Sequence, residues 1–66
     1  MVLLVLIACL AACKEKTKEE LYAEGLEQIK LGNPGGAIVL LKNALDKDQN
    51  YLDARYQLAV AYMNAG

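Results

Sequence analysis

The sequence is 66 residues long with a formal net charge of −1, its 7 Lys and Arg residues set against 8 Asp and Glu residues. A chain this short buries too small a share of its surface to be comfortably stable unless something staples or extends it, so the sequence reads as the N-terminal fragment of something larger. It has no basic cluster, which excludes nucleic acid as a partner, and no histidine, which excludes imidazole acid–base chemistry and histidine metal sites.

The first segment is set apart by charge. Met1 to Cys13 carries no charged side chain, and every charged residue lies from Lys14 onward. Val2 to Ala12 is a run of eleven apolar residues. As a helix it would reach about 17 Å, against a hydrocarbon core of about 30 Å, so it is too short to span a bilayer. Its length fits the apolar region of a secretory signal, with the small Ala11 and Ala12 at the cleavage site. A buried core helix with an incidental cysteine is the alternative, and the position at the extreme N-terminus favours the signal. The missing basic region before Val2 leads us to expect further residues upstream. Cys9 and Cys13 both fall in or at the end of this block, so they cannot frame a disulfide scaffold for the rest of the chain.

Leu10-Ala11-Ala12-Cys13 resembles the lipobox of bacterial lipoprotein signals. The resemblance implies that residues 1–12 are removed and that the Cys13 thiol takes a diacylglyceryl group, with residues 13–17 as a lipidated N-terminus and short linker. Leu6-Ile7-Ala8-Cys9 fits a looser form of the motif, but cleavage there would leave an apolar region of only seven residues. Acyl chains contribute roughly 0.8 kcal/mol per buried CH₂ and would hold the protein to a membrane without a spanning helix. By resemblance to enterobacterial lipoproteins, Lys14 after the cysteine leans toward the periplasmic face of the outer membrane.

The soluble segment reads as three helices. Thr17-Lys18-Glu19-Glu20 is a capping box that starts a helix at Lys18. Leu21, Tyr22, Gly25, Leu26 and Ile29 give that helix one apolar or small-residue face, and Gly32 ends it in the left-handed conformation after about 14 residues. Asn33-Pro34 reads as an N-cap followed by proline at the first helical position. The second helix carries Ala37, Ile38, Leu40, Leu41, Ala44 and Leu45, and its first turn is weakened by Gly35 and Gly36, by up to about 1 kcal/mol each. The polar stretch Asp46 to Asn50 closes it. Asn50 is expected to cap a third helix, with Asp53 in its first turn and Ala54, Leu58, Ala59, Tyr62 and Ala65 on its apolar face.

A shift of 34 residues superposes Tyr22 on Tyr56, Leu26 on Val60, Ile29 on Met63, Gly32 on Gly66 and the small Gly25 on the small Ala59. A helix–turn–helix unit of this period resembles the tetratricopeptide repeat family, with Gly25, Ala59 and Ala37 at the close helix crossings, Ala44 near the end of the second helix and Leu41 at the large-residue position. The resemblance implies an all-α fold of antiparallel helix–turn–helix units. Residues 18–51 form one repeat and residues 52–66 the first helix of a second, with more repeats expected beyond Gly66. It also implies a protein- or peptide-binding scaffold that is not an enzyme and needs no cofactor. The concave binding surface would be lined by Glu19, Tyr22, Leu26, Ile29 and Lys30, and by Asp53, Tyr56, Val60, Met63 and Asn64. Plain packing or a solvated face is the competing reading of these ten side chains.

Ala37 to Leu45, together with Asp53 to Leu58, resembles the tetratricopeptide lipoproteins that accompany the exosortase (PEP-CTERM) sorting and exopolysaccharide systems of Gram-negative bacteria. A pilotin-like lipoprotein, an outer-membrane assembly lipoprotein and the anchor region of a larger enzyme remain alternatives. Within the sequence itself no catalytic or metal motif stands up. Asp46, Asp48 and Asn50 imitate the opening of a calcium loop, but Tyr51 replaces its glycine and Gln57 its closing glutamate. Gly32 to Gly36 is glycine-rich with no following Lys-Ser/Thr, so it is a turn and not a phosphate cradle.

Overall fold

Residues 15–66 are described by a computed structural model, and the expected signal segment, Cys13 and Lys14 lie outside the described residues. The described residues form three helices, α1 (Lys18–Lys30), α2 (Pro34–Lys47) and α3 (Leu52–Ala65). The short turns between them fold α2 back against α1 and α3 back against α2, so α1 and α3 run in the same direction. The architecture is the all-α, antiparallel helix–turn–helix arrangement expected. Among the described residues no helix is long and apolar enough to cross a membrane.

Both ends of α1 are fixed by bonds that the local sequence encodes. The Glu20 N–H donates to Thr17 Oγ1 at 3.1 Å and the Thr17 N–H donates to Glu20 Oε1 at 2.9 Å, which completes the capping box. At the other end Gly32 takes φ 74°, its N–H donates to the Ile29 carbonyl, and the Asn33 N–H donates to the Gln28 carbonyl at 2.8 Å. These two bonds make a Schellman motif, and the positive φ is what demands glycine there. The helix has 13 residues, one fewer than the spacing suggested, because Leu31 is already the C-cap.

Asn33 then serves two helices. Its Oδ1 accepts from the Gly36 N–H at 3.2 Å to cap α2, and its Nδ2 donates to Gln28 Oε1 at 2.8 Å. Pro34 follows at the first helical position, where its missing N–H leaves no bond unmade.

The second turn departs from expectation. Tyr51, not Asn50, is the N-cap of α3, and it makes no side-chain capping bond. Asp48 Oδ1 accepts from the Asn50 N–H at 3.0 Å, and the Tyr51 N–H donates to the Asp48 carbonyl at 3.1 Å, so a turn built on Asp48 carries Asn50 past the capping position. Thr17 and Tyr51 are nonetheless 34 residues apart, as are the first residues of α1 and α3, so the repeat holds in the backbone even where the capping chemistry changes.

The core is built mostly of small side chains. Leu21, Ala37, Leu41, Ala44, Ala54 and Ala61 are buried, and Leu41 is the only large one among them to be fully enclosed. Tyr22, Ile29, Ile38, Leu40, Leu45, Tyr51 and Leu58 close around it half-buried. Leu41 rests on Gly25: a β-carbon at position 25 would lie 2.9 Å from both Cγ and Cδ2 of Leu41. The absence of a side chain on α1 therefore lets the largest core side chain of α2 reach the α1 backbone.

The expected apolar face of α3 is corrected in part. Ala54 and Leu58 do turn inward, but the third inward position is Ala61, while Ala59, Tyr62 and Ala65 are exposed. Ala54, Leu58 and Ala61 follow the i, i+4, i+7 spacing of a single stripe, and that stripe meets α2.

The Leu41–Gly25 contact gives a sign test. Leu41→Ala is expected to cost about 2–5 kcal/mol. Gly25→Ala should destabilise the wild-type chain, because overpacking costs about 1–3 kcal/mol and outweighs the gain of about 1 kcal/mol in helix propensity. In the Leu41→Ala background the same change should become stabilising. Urea titrations followed by helical circular dichroism would measure the cycle, and a Gly25→Ala effect of the same sign in both backgrounds would refute the contact.

Candidate protein-binding surface

On α1, Glu19 and Lys30 are exposed while Tyr22, Leu26 and Ile29 are half-buried. On α3, Asp53, Tyr56, Met63 and Asn64 are exposed and Val60 is half-buried. Tyr22 and Ile29 pack against the core, so on α1 the packing reading describes these two. Their copies Tyr56 and Met63 are 68% and 74% exposed, because no described helix lies against that side of α3 as α2 lies against α1.

The junction of the first two helices with the second turn is held by a cluster around Tyr51. The rings of Tyr22 and Tyr51 meet with centroids 5.2 Å apart and planes tilted by 38°. Lys18 Nζ stands 5.4 Å from the centre of the Tyr51 ring and is paired with the Asp48 carboxylate. Burial raises the Tyr51 phenol above its ordinary value, and nearby Glu19, Tyr22 and Asp53 raise it further. Tyr51, the residue immediately before α3, thus packs on Tyr22 in the first turns of α1 and joins the starts of the two parallel helices.

Tyr51, Lys18 and Asp48 were not singled out as a unit by sequence reasoning. The available signal was the 34-residue register, which sets Tyr51 on the capping Thr17 and so places an aromatic side chain where a capping residue would be expected. Asp48 is also one of the three residues that imitate a calcium loop, and its carboxylate is already occupied by Lys18 and the Asn50 N–H.

Other charges are paired along the edges of the bundle. Lys16 meets Glu24 at 2.8 Å, and Lys47 meets Glu15 at 3.0 Å. The Arg55 guanidinium donates to the Gln49 carbonyl. An open cleft lined by Glu15, Lys16, Leu21, Asn43, Asp46 and Lys47 lies between the segment before α1 and the end of α2. Its charged groups include the Lys47–Glu15 pair and it holds no nucleophile–base arrangement.

Compared with known proteins, residues 28–66 match the family model described as tetratricopeptide repeat. That span takes in the end of α1, all of α2 and all of α3. Neither the curated proteins nor the solved structures give a match.

The ionic contacts predict how helicity follows pH. The hydrogen bond from Lys18, then that from the Asn50 N–H, holds the Asp48 carboxyl below its usual value. The Thr17 N–H and hydroxyl do the same for Glu20. Unfolded Asp and Glu titrate near about 3.9 and 4.3, so this stabilisation is complete above about pH 5 and is lost as pH falls through the lower folded values. Lys18 is raised by its hydrogen bond to Asp48, so its contribution is present below about pH 10 and lost above. Circular dichroism at low salt should be level from about pH 5 to 9 and fall below about 4, with a smaller acid-side fall in Asp48→Asn. An identical acid limb in wild type, Asp48→Asn and Thr17→Ala would show that these bonds carry no stability.

Proposed function

Because the chain belongs to the tetratricopeptide repeat family, we propose that it is a protein-binding scaffold held at a membrane by a lipid on Cys13, and that it serves exosortase (PEP-CTERM) protein sorting or exopolysaccharide export. Repeats of this family typically mediate protein–protein contacts and are non-catalytic. The observation that carries the reading is the 34-residue register, which copies both the helix start at Lys18 onto Leu52 and the small residue at Gly25 onto Ala59.

The same register supports a continuing array. Tyr56, Ala59 and Met63 form an exposed stripe on α3 that repeats Tyr22, Gly25 and Ile29, the α1 side on which α2 and the second turn close. A helix that repeats α2 would lay its large side chain over the small Ala59, farther from the backbone than Leu41 lies over Gly25 because Ala59 carries a β-carbon. Repeats stacked this way bury a common core and leave a concave face for a partner.

Anchoring rests on the lipobox and on the charge step at Cys13, and placement at the periplasmic face of the outer membrane rests on Lys14. The sorting role rests on the run Ala37 to Leu45 with Asp53 to Leu58.

Two experiments separate these layers. A clickable palmitate analogue should label the wild type and Cys9→Ser but not Cys13→Ser; label retained by Cys13→Ser would remove the anchor. Deleting the gene should reduce delivery of PEP-CTERM-tailed proteins to the cell surface, and unchanged delivery would dispose of the sorting role while leaving the scaffold.

A further inference from the structure

The 34-residue register also reaches back ahead of α1. It sets the apolar residues 2–12 on residues 36–46 of α2, with Ile7 at the position of Leu41 and Leu10 at that of Ala44. Residues 13–17 then correspond to residues 47–51, which carry the turn that folds α3 back against α2. By sequence, residues 2–12 are therefore matched in length and pattern to a helix that could fold back on α1 as α2 does on α3. Water drives an apolar run onto whatever apolar surface is within reach, so this fold-back has to be prevented if the run is to meet a membrane.

The surface it would need is missing from α1. On α3 the side that meets the preceding helix is Ala54, Leu58 and Ala61, two buried alanines and a half-buried leucine. The register puts Glu20, Glu24 and Glu27 at these positions of α1. Glu20 and Glu27 are exposed and Glu24 is half-buried. Two of the carboxylates are held on that side by bonds: Glu20 Oε1 accepts from the Thr17 N–H at 2.9 Å, and Glu24 pairs with Lys16 at 2.8 Å. Among the described residues Glu27 is in no ion pair. A helix docked there would take Glu27 out of water without a partner and displace the Lys16–Glu24 pair, while the capping bond keeps Glu20 from turning aside.

We infer that Glu20, Glu24 and Glu27 bar the apolar residues 2–12 from α1 and so leave them for a lipid surface. This rests on the reading of residues 1–12 as a membrane-seeking signal and adds what keeps that segment from folding back onto the chain.

The test uses the full chain with Cys13→Ser, which leaves Cys9 as the single thiol for a polarity-sensitive fluorophore. The lipid probe is vesicles of phosphatidylethanolamine and phosphatidylglycerol. In buffer, with the chain at high dilution, the label should emit as it does in water, and vesicles should shift its emission to the blue. Glu24→Leu with Glu27→Ala rebuilds the α3 stripe and keeps the Glu20 cap; its emission should be blue-shifted in buffer already and unchanged on further dilution. A run that is free only one part in ten binds about tenfold more weakly, so that variant should need about tenfold more lipid for half-saturation. Glu19→Leu with Lys30→Ala, which puts the same side chains at exposed positions elsewhere on α1, should keep the water-like emission. Circular dichroism of each variant would establish that the helices persist. Blue-shifted emission from the unaltered stripe in buffer, water-like emission from Glu24→Leu with Glu27→Ala, or an equal shift in both double variants would overturn the inference. Buffer spectra as expected, with vesicles binding neither chain, would overturn the membrane reading of residues 1–12 and leave the barrier on α1.

Discussion

The fold depends on one close approach, Leu41 of α2 against the bare backbone of Gly25 on α1. A β-carbon at position 25 would meet Leu41 at 2.9 Å, so α1 and α2 sit at a separation that only a missing side chain permits. Around that point the core has little else that is large: the fully enclosed partners are Ala37, Ala44, Ala54 and Ala61. Small residues bury modest area, but they let backbones approach and dispersion contacts accumulate. Because α2 also receives α3 through Ala54 and Ala61, its position relative to α1 fixes where α3 can lie, and with it the spacing of α1 and α3.

The two turns hold this arrangement by different means. Between α1 and α2 the constraint is local: Gly32 reverses the chain, and Asn33 bonds backward to Gln28 and forward to Gly36. Position 36 has to be small for that, since a β-carbon there would stand 2.7 Å from Asn33 Nδ2. Between α2 and α3 the constraint is long-range. Asp48 reaches Lys18, and Tyr51 packs on Tyr22, so the second turn is braced against the first helix and not by a cap of its own.

That difference explains what could be read from the sequence and what could not. The capping box at Thr17, the left-handed Gly32 and the Asn33-Pro34 start involve residues within a few positions of one another, and each forms as its local pattern requires. Asn50 has the right chemistry for a cap, but Asp48 takes its N–H and the Tyr22–Tyr51 contact decides where α3 begins; neither is visible in a short window. The inward face of α3 was misassigned at Ala59, Tyr62 and Ala65 for another reason. Apolar or small residues surround this helix, so the inner stripe Ala54–Leu58–Ala61 and the outer stripe Tyr56–Ala59–Met63 have equal claims by periodicity alone. The residues expected on a binding surface show the same ambiguity, since Tyr22 and Ile29 share a helix with Glu19 and Lys30 yet are half-buried in packing.

An apolar helix with two or more faces is what a repeat requires of its first helix. It must pack on a neighbouring unit, accept its own second helix and still present a side to solvent, and with only about 3.6 residues per turn a narrow stripe is left for the last task. On α1 that stripe is marked by charge, with Glu19 and Lys30 at its two ends and Leu26 between them. Substituting a charge on either packing stripe would bury it without a partner, at a cost of several kcal/mol. At the exposed positions of the remaining stripe it stays hydrated and costs the fold almost nothing. Side chains can therefore vary at Glu19, Lys30, Asp53 and Asn64 while Gly25, Leu41 and the alanines keep the helices in place. The physical separation of packing stripe from exposed stripe, and not any single side chain, is what leaves this small helical unit a surface free to vary.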